Sequence, residues 1–184
     1  MKKITTVACA SLLSLSAFSA QAESISHNAA FVSDYVWRGL TATDNSPALQ
    51  AGSDYKNGNA YAGVWLSNVE DQSGEEGVPV EMDVYFGYNN EFDGFNLDLS
   101  VTTYNYLNDT DRDLTEFRIA TSPKAIEGLE IALNREVKAQ FWYPEVTFEK
   151  FLPHRLYLDL SAGFWSVDEG DNALTMRAEL ARDF

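Results

Sequence analysis

The chain has 184 residues, with 28 Asp and Glu against 13 Lys and Arg, and a formal net charge of −15. That balance argues against a nucleic-acid binder, whose surface must attract phosphates, and against a basic peripheral patch on anionic lipid. An aromatic content of 13% argues against an acidic disordered chain.

In chain order, Met1-Lys2-Lys3 is a basic leader, residues 4–18 are apolar and small, and Ala20-Gln21-Ala22 is an A-x-A cleavage site. Residues 1–22 are therefore expected to be a Sec-type signal peptide cut before Glu23, leaving residues 23–184 as one domain. The only cysteine, Cys9, would leave with the leader, so neither a disulfide framework nor a thiolate metal site is expected. Loss of Lys2 and Lys3 takes the net charge of −15 to −17. No later segment approaches the ~20 continuous apolar residues of a membrane helix, so any crossing must be made by a closed sheet.

Ten segments read as strands: 28–39, 47–55, 60–69, 81–88, 95–102, 114–121, 129–136, 143–150, 156–164 and 174–184. In the clearest, Met82, Val84, Phe86 and Tyr88 alternate with Glu81, Asp83, Tyr85 and Gly87. Phe95, Leu97, Leu99 and Val101 alternate with Asn96, Asp98, Ser100 and Thr102, and Leu156 to Phe164 repeat the pattern against Tyr157, Asp159, Ser161 and Gly163. Such period-two runs give one apolar and one polar face, at about the ten-residue length a tilted strand needs to cross hydrocarbon. Asn57-Gly58 and the clusters at 90–94, 122–128 and 153–154 are turn chemistry, whereas the connections near 41–46, 70–79, 105–112, 137–142 and 166–172 include longer, more acidic ones. Short turns at one end, longer loops at the other and an even strand number predict an all-β, antiparallel up-and-down transmembrane barrel. The count is about ten; eight or twelve would follow from one misjudged hairpin. The terminal Phe184 on an alternating strand resembles the C-terminal signal that the barrel-assembly machinery of bacterial outer membranes reads. No window sustains a helical apolar stripe.

The stretch Ser33-Asp34-Tyr35-Val36-Trp37-Arg38-Gly39-Leu40, followed by Thr43-Asp44-Asn45-Ser46-Pro47-Ala48-Leu49-Gln50 and then Gly63-Val64-Trp65-Leu66-Ser67-Asn68-Val69, resembles the TorF family. This is a proteobacterial group labelled porin-like and long catalogued only as conserved proteins of unknown function. The likeness is specific over roughly 31–69 and architectural beyond. It implies a porin-like role in the outer membrane of a Gram-negative cell and names no solute.

Asp34 and Arg38, four apart, are expected on the inward face of the first strand, with Phe31, Tyr35 and Trp37 outward. The other charges expected to face a lumen are Asp54, Glu81, Asp83, Asp98, Glu116, Arg118, Arg155, Asp159, Arg177 and Glu179, with Glu130, Glu145 and Glu149 beside them. Because acids outnumber arginines, such a lumen would favour cations if open and would be an ionic plug if closed. Tyr35, Trp37, Tyr61, Trp65, Tyr88, Phe164, Trp165 and Phe184 are candidates for aromatic girdles at the membrane interfaces. Asp109, Asp111 and Asp113 have calcium-loop spacing, but Leu114 stands where the glycine belongs and Ala120 where the distal glutamate belongs. His27 and His154 have no triad spacing, and there is no phosphate-binding Gly loop, so no enzyme, metal or cofactor is expected.

The leading expectation is a small porin-like barrel passing small solutes or cations, in contact with outer-membrane lipid and lipopolysaccharide and with no nucleic-acid partner. One alternative is a non-conducting structural or surface-binding barrel with a salt-bridged interior. Another, a soluble ligand-binding barrel, would need an apolar inside, which the polar inner faces disfavour.

Overall fold

The computed structural model describes residues 23–70, 79–107, 109–168 and 170–182. The expected signal peptide and Phe184 lie outside the described residues, as does most of the acidic 70–79 connection.

Ten strands form one antiparallel meander: β1 (Ser24–Val32), β4 (Ala48–Asn57), β5 (Ala60–Asn68), β6 (Val80–Glu91), β7 (Phe95–Tyr106), β8 (Leu114–Pro123), β9 (Leu129–Glu136), β10 (Phe141–Leu152), β11 (Leu156–Val167) and β12 (Ala173–Arg182). Each pairs with its neighbour in sequence, so the sheet order is the chain order apart from a two-stranded hairpin, β2 (Val36–Trp37) and β3 (Leu40–Thr41). Single 3-10 turns at Thr110–Arg112 and Pro153–Arg155 complete the described elements. β1 and β12 share no backbone ladder among the described residues.

Alternation sorts the side chains as the period-two pattern demands. Phe86, Leu99, Phe117, Ile119, Ile131, Leu160 and Met176 stand exposed on one face, whereas the largest fully buried side chains among the described residues are Glu136, Asn134 and Ser67 on the other. In water a sheet hides its apolar face, so this arrangement is inverted. The face carrying the buried polar groups is called inner below.

Glycine gaps let tyrosines brace this inner face. Tyr61 on β5 lies directly opposite Gly87 on β6 and reaches across it to both carboxylate oxygens of Asp98 on β7, at 3.0 Å each. Tyr85 on β6 crosses Gly63 on β5 and donates to Asp54 on β4. Tyr143 on β10 lies over Gly163 on β11, its hydroxyl 2.7 Å from that of Thr175 on β12. A Cβ at any of these glycines would overlap the tyrosine ring, so each aromatic occupies space the missing side chain leaves. Gly87→Ala should therefore cost about 1–3 kcal/mol through overpacking, read as a lower urea midpoint with unchanged slope.

The expected strand 28–39 is corrected. β1 ends at Val32, and 33–46 leaves the sheet to fold over the inner face. Its boundary is chemical: Asp34 accepts from the hydroxyls of Thr41 at 2.6 Å and Thr43 at 2.9 Å, and the Thr43 hydroxyl in turn accepts the Tyr35 N–H. These bonds satisfy local polar groups without a neighbouring strand and so compete with continuation of β1.

Candidate functional site: the hairpin-filled inner face

Trp37 and Leu40 pair across a two-residue turn in which Arg38 has φ 48° and Gly39 φ 83°. Both central residues lie in the left-handed region, as a type I′ hairpin turn requires. Glycine adopts it freely, whereas Arg38 must be held there by its contacts.

Those contacts span most of the sheet. Arg38 Nη1 and Nη2 bind Glu116 of β8 at 2.5 and 2.8 Å, a bidentate pair whose side chains are 11% and 4% exposed. The guanidinium carbon lies 4.4 Å from the centre of the Tyr143 ring and 4.8 Å from that of Trp37. The Arg38 carbonyl accepts the indole N–H of Trp165 on β11 at 3.2 Å. Trp37 packs edge-on against Tyr104, Phe141 and Trp165. Tyr35 donates to Glu81 of β6 at 2.9 Å and packs on Trp65 of β5, and a Cβ at Gly39 would meet Thr175 of β12 at 3.0 Å. One short segment thus touches β5 to β8 and β10 to β12, so the sheet curls around it.

The electrostatics follow from this packing. Burial works against a charged Arg38, but the two bonds and the charge of Glu116 outweigh it and hold the guanidinium pKa above its ordinary value. Burial also raises the Tyr35 phenol well above its usual range, with the charges of Glu81 and Asp83 adding to the shift. Glu116 and Glu136 stand directly opposite each other on β8 and β9, a repulsive like-charge pair on its own. The repulsion is relieved because each has separate partners. Glu116 takes Arg38, and Glu136 accepts the backbone N–H groups of Thr115, Lys138, Ala139 and Gln140.

Most expected lumen charges do share the inner face. Arg118 binds Glu130 and approaches Asp98 at 3.5 Å, Arg177 binds Asp159, and Glu179 stands opposite Asp159. Asp83 has one buried oxygen without a hydrogen-bond partner. Two placements differ from expectation. Asp34 organises the hairpin by bonding Thr41 and Thr43, and does not share a strand face with Arg38. Arg155 lies exposed in the Pro153–Arg155 turn at φ 60°, off any strand face. The aromatic expectation is also revised. Tyr35, Trp37, Tyr61, Trp65 and Trp165 pack on the inner face, while Tyr88 and Phe164 are exposed on the outer one. Glu136 and the tyrosine braces were missed by sequence reasoning. Facing glycines and tyrosines on 60–69 and 81–88 were the available signal, but the pairing register was needed to use it.

Comparison with family models adds a match over residues 16–175 to a family described as a bacterial protein of unknown function (Gcw_chp). The chain belongs to the Gcw_chp family. No curated protein and no solved structure matches it. The Gcw_chp match takes in the Arg38 hairpin, the Glu116 and Glu136 pair and all three tyrosine braces, and ends before Arg177 and Glu179 of β12.

Proposed function

We propose that this protein is an outer-membrane β-barrel of the porin-like kind, exported by its signal peptide, with β1 closing on β12. Its resting lumen is shut by the 33–46 hairpin. The observation that carries the reading is the inversion of the faces: exposed aliphatic and aromatic side chains outside, buried Glu136, Asn134 and Glu116 inside. A lipid-facing barrel has that distribution, and the polar lumen is where its ionisable groups belong. The resemblance to the TorF group supports the same class, and the short turns after β4, β6, β8 and β10 suit a periplasmic rim.

Conduction depends on the hairpin. The inner acids outnumber Arg38, Arg118 and Arg177, so a cleared lumen would favour cations. With the hairpin seated, the non-conducting reading gains support from the bidentate Arg38–Glu116 pair, which fills the interior between β8 and β10.

Planar-bilayer recording tests this. The intact chain should give no steady conductance, and a variant with 34–45 replaced by a short Gly/Ser linker should give a cation-selective one. Steady ohmic current from the intact chain would make it an open pore. Silence from both would leave a structural or surface-binding barrel and remove the porin part of the reading.

A further inference from the structure

Arg135 breaks the pattern of the outer face. It stands opposite Phe117 on one side and Trp142 on the other, so its side chain joins the apolar surface that the proposed function assigns to lipid. Its guanidinium lies 4.9 Å from the Trp142 ring centre. Nη2 forms an ion pair with Asp168 at 3.6 Å, too long for a good hydrogen bond, and Nη1 is buried with no hydrogen-bond partner among the described residues. An arginine in an apolar belt costs little near an interface, and with Asp168 held only at 3.6 Å its five donors have room for a closer acceptor.

Arg135 is the penultimate residue of β9, at the rim carrying the 137–140 connection. From it an open groove of about 520 Å³ runs down the outer face over Leu133, Ile119, Phe117, Leu99 and Phe86. A cation at the rim above an apolar groove complements a molecule with an anionic head and a hydrocarbon tail. In the proposed orientation this rim is external, so the adjoining leaflet is the outer one.

We propose that Arg135, Trp142 and the groove below them form a binding site for lipid A, with a phosphate on Arg135 and an acyl chain in the groove. Trp142 orients the guanidinium, and Asp168 yields to the phosphate. The site rests on the outer-membrane reading but not on whether the lumen conducts.

The test is native mass spectrometry of the refolded full chain in detergent, titrated with diphosphoryl lipid A, dephosphorylated lipid A, phosphatidylglycerol and inorganic phosphate. The intact chain should prefer diphosphoryl lipid A, and Arg135→Gln should weaken that binding about tenfold, the scale of one charge-assisted hydrogen bond. Lys124→Gln, at the opposite rim, should change nothing. Equal binding by Arg135→Gln, or equal binding of the dephosphorylated lipid, would overturn the site. Equal binding of phosphatidylglycerol or of phosphate alone would overturn its assignment to lipid A. Heat-modifiable migration and fractionation of the same preparations separate the two proposals. A chain recovered only as a soluble protein contradicts both, whereas an integrated chain without this selectivity contradicts the site alone.

Discussion

Arg38→Met is expected to destabilise the folded chain by about 3–5 kcal/mol, because it strands Glu116 as an uncompensated buried charge. The size of the loss comes mainly from that stranded carboxylate. Taking two ions out of water offsets most of what their attraction returns, so an intact buried pair contributes little net stability. Adding Glu116→Leu to Arg38→Met should therefore recover most of the loss. Urea unfolding followed by tryptophan fluorescence reads both, since Trp37 and Trp165 pack at the site. A single variant that costs no more than a surface substitution, within about 0.5 kcal/mol, would show that the hairpin is not seated on β8. The same variant loosens the hairpin, so any conductance it gains in a bilayer should appear together with the stability loss.

Phe86→Arg carries the second large effect. Phe86 is 57% exposed near the middle of β6, and in water an arginine there would be nearly neutral. At the midplane of a bilayer it should cost about 2–4 kcal/mol. The comparison that decides is positional. Ile25→Arg, at the strand end nearest the periplasmic turns, should cost only about 0–1 kcal/mol. Unfolding from lipid vesicles measures both, and equal small effects at the two positions would place the outer face in water.

The strand pattern was largely legible because it rests on period two alone. Val84, Phe86 and Tyr88 against Glu81, Asp83 and Tyr85 could be sorted without knowing any partner strand, and the structure keeps that sorting. Ten strands followed from turn chemistry such as Asn57-Gly58. The 33–46 hairpin was not legible as such. Tyr35 and Trp37 continue the alternation of Phe31, so parity extended the strand through Ser33-Asp34, where side-chain bonds to Thr41 and Thr43 turn the chain instead. Arg38-Gly39 between Trp37 and Leu40 was the available signal for a tight turn, but an arginine is an unusual residue for its left-handed first position.

The candidate site was legible as a set of charges and not as a set of pairs. Parity put Glu116, Arg118, Asp98 and Asp159 on one face. It could not say that Glu116 meets an arginine 78 positions away, because that contact depends on how the sheet curls. Likewise, nothing local marks Glu136 as the acceptor of four backbone N–H groups, or Tyr61 as the residue that fills the gap at Gly87. The same parity places Arg135 outward beside Leu133, and its meaning emerges only from the neighbours that the register supplies.

Spin labels read the inverted faces directly. Single cysteines at Phe86, Leu99, Phe117 and Ile131, and at Asp98, Ala120 and Ala132, would be labelled in the chain reconstituted in lipid vesicles. Relaxation by oxygen, which concentrates in hydrocarbon, is then compared with relaxation by a water-soluble nickel chelate. The first four positions should be open to oxygen and closed to the chelate, and the other three should be shielded from oxygen by the packed inner face. Ready access of the chelate to Phe86, Leu99, Phe117 and Ile131 would contradict a lipid-facing outer surface, and with it the barrel in the membrane.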